Sequence, residues 1–499
     1  MKSEITTLDF AIIVVYLAGM LGIGIYYAFR TSDSDDFLLG GRRMPSWSIG
    51  LSLFATILST ISFLAWPGEI ISHGPAILCQ VLAYPISFVI VGWLLIPLIM
   101  RQPVTSAYEI LETRLGPSVR YLASTIFLVL RLLWMSVIMY ATAEKILIPI
   151  LHLPASASAW ICLLLGGITV VYSALGGLRA VVTTDVIQAI VLLSAAVATL
   201  VLISYWLGGA GAWWPDTWPK HWSAPRVWFH ASDRSVLGFM LSMVTWYVAM
   251  AGSDQMAIQR YLATRDAKSA RRALGFAWTV EACAFVLMAM IGLALLAWFS
   301  THPDWLGPGE SIDATPDRLF PRFIVDGLPM GVTGLVIAGL MAAAMSSLSS
   351  GINSSAAVIV ADFIEGAWGF ALSSRGRLLA ARVTSGVVGA LVVLLSMAVR
   401  LIDANLYELT VRVANLMTAP LFVVFCVAFF VPRATALVAW IAAIASTAVA
   451  VTISFFPAYH GLGFLWITPG ALAGGLLAAM IAAALLGAPA VAVKNAFES

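Results

Sequence analysis

Apolar residues run through this chain in long blocks, most of them closed by a short polar loop that carries arginine. Thirteen blocks stand out, at 8–29, 46–70, 75–100, 119–147, 158–178, 183–207, 234–262, 272–299, 329–360, 378–400, 405–431, 434–456 and 464–486. A helix needs about 20 apolar residues to cross the hydrocarbon core of a bilayer. A helix is also the form in which so long a segment satisfies its own backbone hydrogen bonds in lipid. The pattern predicts an all-α integral membrane protein with about 13 transmembrane helices.

Composition agrees and adds exclusions. Of 499 residues, 61% are hydrophobic and 10% charged, with a mean hydropathy of +0.96. A soluble domain holds about 25% charged residues, so this chain would have no means of covering itself in water. A net charge of +2 gives no footing for nucleic acid. Cys79, Cys162, Cys283 and Cys426 lie in apolar runs, without the spacing of a disulfide framework or a metal site. The first block, at about 22 residues, is long enough to span the membrane rather than be cleaved as a signal peptide.

Loop charge sets the expected orientation, because cytoplasmic loops are enriched in Lys and Arg. With the N-terminus outside and the C-terminus in the cytoplasm, seventeen Lys and Arg residues fall inside and eight outside. Arg131 and Arg412 lie within spans. The expectation is a multi-pass plasma-membrane protein with lipid as its solvent. The outer loop 208–233 carries Trp213, Trp214, Trp218, Trp222 and Trp228, as an interfacial segment would. Nothing in the pattern specifies an oligomer.

Two spans carry hydroxyls where packing alone does not ask for them. The stretch LSLFATILSTIS (51–62) holds Ser52, Thr56, Ser59, Thr60 and Ser62, and MAAAMSSLSSGINSS (341–355) holds Ser346, Ser347, Ser349 and Ser350. Positions three and four apart share a helix face, so Ala343, Ser346, Ser347 and Ser350 form one polar stripe. Two hydroxyls and a carbonyl on that stripe, facing two free carbonyls of a second helix, would make a five-oxygen cage for a small hard cation. Free carbonyls require a broken helix. The second span has no Gly or Pro between Ser52 and Trp66, so its Ser and Thr side chains would have to satisfy an unwound turn. At about 1.5 Å per residue, Ala55–Leu58 and Ser346–Ser347 both fall near mid-membrane. The alternative is that small residues simply let helices pack closely.

The stretches LSLFATILSTISFLAWPGE (51–69), TSAYEILETRLG (105–116), ALGGLRAVVTTDVIQ (174–188), DQMAIQRYLATRDAKSARRAL (254–274) and AAAMSSLSSGINSS (342–355) together resemble the sodium:solute symporter family, nearest its sialic acid, monocarboxylate and iodide branch. The resemblance spans roughly positions 8–435. It implies a LeuT-type core of two inverted five-helix repeats, at 46–207 and 234–431, joined by the outer loop 208–233. An extra helix and loop (1–45) would precede the core, and two helices with a short tail (432–499) would follow it. It implies sodium as the coupling ion and a main sodium site at the carbonyls of Ala55, Leu58 and Ala343 and the hydroxyls of Ser346 and Ser347. It also implies a second sodium at Asp185 with Ser346, Ser349 and Ser350. A carboxylate at that end of a helix could instead meet lipid headgroups.

Substrate candidates that the resemblance implies are Ser59, Thr60, Ser62 and Gln80 from the first repeat and Trp246, Tyr247 and Gln255 from the second. Where sialic acid transporters carry an arginine for the substrate carboxylate, this chain has Trp134, and Arg131 lies one turn earlier. A buried guanidinium needs a partner. Arg131 would bind an anionic solute or pair internally, for instance with Glu109. Arg412, nearer its outer interface, is expected to snorkel.

The function expected is sodium-coupled import of a small polar organic solute, an organic anion or sugar acid. Alternatives are a transporter-like sensor, or a proton-coupled symporter in which Asp185 or Glu281 titrates. An intramembrane hydrolase would need a base beside its serine, yet all six histidines fall in expected outer loops and no GxSxG occurs. The chain is therefore not expected to be an enzyme. It ends at APAVAVKNAFES without a signalling module, so a sensor would need a separate partner.

Overall fold

The computed structural model describes residues 5–222, 224, 226–231, 234–307, 309–399 and 406–486, with the side chains of 406–414 and 458 outside the description. The expected snorkelling of Arg412 falls there, as do the loop charges Arg400, Lys2 and Lys494. Among the described residues the regular elements are helices. The principal ones are α1 Thr7–Ala28, α2 Ser46–Ile57, α3 Thr60–His73, α4 Pro117–Tyr140, α5 Ser158–Trp206, α6 Val236–Ser253, α7 Gln255–Leu262, α8 Ala267–Thr301, α9 Val332–Val358, α10 Ser374–Val399, α11 Leu406–Phe430, α12 Ala436–Phe455 and α13 Ile467–Leu486.

Among the described residues ten helical segments are long and apolar enough to cross a membrane, and α2 with α3 makes an eleventh bent by 67°. The expected count of thirteen is approximate because element and span are different units. The expected spans 158–178 and 183–207 are run together in α5, which is 49 residues long. Its backbone breaks at Gly177, where φ is 62° and ψ −159°. In a straight helix Tyr172 and Gln188 would lie about 24 Å apart. Here Tyr172 donates to the Met345 carbonyl at 3.2 Å, and Gln188 donates to Tyr16, whose hydroxyl touches the Met345 sulfur. Both residues therefore sit at one level, and α5 doubles back at Gly177. The expected span 405–431 corresponds to α11, of which Asn415–Phe430 is described with its side chains as a shorter apolar helix.

The centre of the molecule is α9. From Gly334 to Val358 it is buried on nearly every face, as expected of a helix apolar all round. Both halves of α5 and α1 pack on it. Small residues permit this approach: a Cβ on Gly334 would lie 2.6 Å from the Asp9 backbone. The same contact caps α9. Asp9 of α1 accepts from the backbone N–H of Gly331 at 2.7 Å and of Gly334 at 2.8 Å, placing a carboxylate at the positive end of the central helix.

Candidate functional site

The site begins where α2 stops. Leu58 and Ser59 are extended, with ψ of 108° and 163°, and the chain restarts as α3. The local cause is Ser59, whose hydroxyl accepts from the Ser62 N–H at 3.2 Å and so caps the new helix. No glycine or proline is needed. Extending the chain takes N–H partners away from the last carbonyls of α2, and hydroxyls of α9 replace them. Ser346 donates to the Ala55 carbonyl at 2.8 Å and lies 3.1 Å from the Ala343 carbonyl. Ser347 donates to the Thr56 carbonyl at 3.2 Å.

Ala55, Leu58, Ala343 and Ser346 line one small cavity of about 10 Å³, near the lower limit for a single water. Ser347 does not line it, being turned to Thr56. Gln188 does. Its side chain is 1% exposed, its Nε2 donates to Tyr16, and its Oε1 has no hydrogen-bond partner. The sequence reading missed Gln188, although it lies three residues past Asp185 on the same helix face. The hydroxyl clusters therefore do more than ease packing: they meet across a helix break.

At the expected second sodium position a cation of the protein is already present. Asp185 Oδ2 accepts from Ser52 at 2.5 Å and pairs with Arg260 at 3.0 Å. Arg260 also donates to Ser52 and to Ser350. Both members of the ion pair are fully buried, which corrects the alternative of a headgroup contact. Ser346 is turned to Ala55, and Ser349 donates to the Ser346 carbonyl at 3.1 Å, so neither hydroxyl is directed at Asp185. Asp185 Oδ1 has no hydrogen-bond partner.

A larger cavity of about 220 Å³ lies on the other side of the break. Five of the substrate candidates, Ser59, Ser62, Gln80, Trp246 and Tyr247, line it. Three other candidates are placed elsewhere. Thr60 donates to the Leu340 carbonyl at 3.0 Å. Gln255 is spent on the 105–107 loop, accepting from the Ala107 N–H at 2.7 Å and donating to the Thr105 carbonyl at 2.9 Å. Arg131 is paired with Asp254. The expected partner Glu109 instead accepts from the N–H groups of Thr105 and Ser106.

Asp254 was not anticipated as that partner because its position depends on a second break. It is extended (ψ 128°) between α6 and α7, and its carboxylate caps α7 through the Met256 N–H at 2.8 Å. Arg131 and Asp254 line a separate cavity of about 50 Å³, and Ile57, Trp134 and Trp246 form walls of both this cavity and the larger one. Glu69, Trp134, Glu281 and Asn415 also line the larger cavity.

The model of the Sodium:solute symporter family matches residues 37–446. The Sodium/sialic acid symporter NanT of Aliivibrio fischeri is 28% identical over 450 residues, covering 89% of this chain and 86% of that protein. The Sodium/sialic acid symporter SiaT of Proteus mirabilis is 29% identical over 443 residues, with 86% of each chain covered. A solved structure of a Na+-coupled sialic acid symporter, in a substrate-bound outward-open state, superposes with a TM-score of 0.83 at 26% identity, covering 97% of this chain and 99% of that one.

Proposed function

The chain belongs to the sodium:solute symporter family, and from that premise we propose that it imports a small polar organic solute by binding one sodium ion where α2 breaks against α9. It is a sodium-coupled transporter with a LeuT-type fold. The proposed ion ligands are the carbonyls of Ala55, Leu58 and Ala343 and the hydroxyls of Ser346 and Ser347, with Gln188 Oε1 as a further oxygen. The observation that carries this reading is the contact of Ser346 with the orphaned Ala55 carbonyl at 2.8 Å beside Ala343. A hydroxyl rotates freely, so Ser346 and Ser347 can turn their lone pairs to an arriving cation. Neutral oxygens also suit an ion that must be released. A second sodium at Asp185 would require Arg260 to withdraw first.

Coupling follows from the shortness of the break. Ala55 and Leu58 face the ion cavity while Ile57 and Ser59 face the solute cavity. An ion that fixes Ala55–Leu58 therefore also fixes the wall the solute meets, and each ligand favours the binding of the other. The proposed topology has residues 46–207 and 234–431 as the two repeats, the N-terminus outside the plasma membrane and the C-terminus in the cytoplasm. In that topology the solute cavity, walled by Phe464 and Leu465, opens outward. The Arg131–Asp254, Arg260–Asp185 and Arg120–Asp362 pairs would close the inner side. In this reading the protein is a carrier without catalytic activity and without nucleic-acid partners.

The test is reconstitution in liposomes. An inward sodium gradient should drive solute uptake. An inside-negative potential should accelerate it, each charge moved being worth about 2.3 kcal/mol per 100 mV. Uptake driven by a pH gradient without sodium would overturn the reading in favour of proton coupling.

A further inference from the structure

The charge in the wall of the 220 Å³ cavity points to its solute. The described residues lining it include two carboxylates, Glu69 and Glu281, and no Lys, Arg or His. Glu69 is answered at the rim: Arg234 lies 2.7 Å from its Oε1 and His73 lies 3.4 Å from its Oε2. Glu281 is not. It projects from the middle of α8, is 1% exposed, and receives one hydrogen bond at 3.1 Å, from Tyr247 to Oε1. Tyr247 in turn shares a 2.8 Å hydrogen bond with Tyr84. Glu281 Oε2 has no hydrogen-bond partner, and among the described residues no cation pairs with this carboxylate. Around it the cavity is walled by Trp66, Trp134, Phe239, Trp246, Tyr247 and Phe464.

We propose that this cavity recognises its solute through a protonated amine or other cationic nitrogen, and that Glu281 is the residue that selects it. The inference rests on the reading of the protein as a sodium-coupled symporter whose solute occupies this cavity. A buried carboxylate lacking a cation is unfavourable, and a solute cation in the cavity supplies the missing partner. Aromatic faces attract the same charge through their quadrupoles, so ring and carboxylate favour one class of ligand. An anionic solute would meet Glu281 in a low-dielectric pocket with no guanidinium among the described lining residues to offset it. The solute class proposed here differs from the organic anion or sugar acid expected from the sequence.

The test uses purified full-length protein in detergent with saturating sodium and an isosteric series: choline, neutral 3,3-dimethylbutan-1-ol and anionic 3,3-dimethylbutanoate, together with primary amines and N-acetylneuraminate. Thermal stabilisation is read against solute concentration. Cationic members should half-saturate at a concentration at least tenfold lower than their neutral isosteres, and anions should give no shift. Glu281→Gln should erase that preference while leaving the sodium-induced shift in place. Equal or tighter binding of the neutral or anionic members to the wild type overturns the proposal, as does an unchanged cation preference in the variant. The wild-type series decides the matter alone if the variant does not fold. Loss of the sodium shift in the wild type would instead count against sodium coupling itself.

Discussion

At the residue scale the proposed sodium coupling turns on a few oxygens. Ser346→Ala removes a hydroxyl that touches two carbonyls. It should raise the half-saturating sodium concentration about tenfold or more, a loss of about 1.4 kcal/mol, with little change in solute binding at saturating sodium. The sodium dependence of uptake in liposomes checks this. Asp254→Ala removes both the partner of Arg131 and the cap of α7. Leaving a buried guanidinium unpaired costs about 3–5 kcal/mol, so thermal unfolding should show a large drop, and Arg131→Leu in the same chain should restore part of it. Local chemistry made Ser346 legible in the sequence, because hydroxyls three and four apart on an apolar helix are conspicuous. Arg131 was legible as a buried charge but its partner was not, since Asp254 is 123 positions away and reaches it only through the break between α6 and α7. Glu281 was legible only as an acid that could titrate, and Gln188 was not singled out at all, until the fold placed each at the wall of a cavity.

At the scale of elements the decisive features are breaks, and the sequence marks them unevenly. The break in α2–α3 contains no glycine or proline; it depends on one serine cap. With Ser59→Ala the cap is lost, at about 1 kcal/mol. If the helix then runs on through Leu58, the Ser59 N–H returns to the Ala55 carbonyl and takes it from the ion. The variant should therefore bind sodium more weakly although no proposed sodium ligand has been changed, which a sodium titration of its melting temperature would reveal. Glycine does mark the reversal in α5. A Cβ at Gly177 would lie 2.6 Å from the Phe37 carbonyl oxygen, at a positive φ that side chains rarely adopt. Gly177→Ala should lower stability by about 2–3 kcal/mol and lower the yield of folded protein. The doubled α5 also shows why apolar runs report spans better than elements: hydropathy counts crossings, and the two runs lie on either side of the break at Gly177.

For the whole molecule, composition alone was enough to identify a multi-span membrane protein, and the family match, the superposition and the all-helical chain agree with it. What composition could not convey is how the charges are arranged. The Arg131–Asp254 and Arg260–Asp185 pairs lie outside the lining of the solute cavity, whose described wall is acidic and aromatic. In the proposed topology that asymmetry matches one end state of alternating access: a closed, ion-paired inner side and an open, solute-ready outer side. The claim on which coupling depends is that sodium sits between the Ala55 carbonyl and the hydroxyls of Ser346 and Ser347. The most direct measurement is the melting temperature of the purified protein titrated with sodium against a potassium background, without solute, for the wild type and for the Ser346→Ala, Ser347→Ala double variant. A sodium ion held there should give a saturable rise in the wild type and none in a folded double variant. An equal sodium response in both proteins would contradict it.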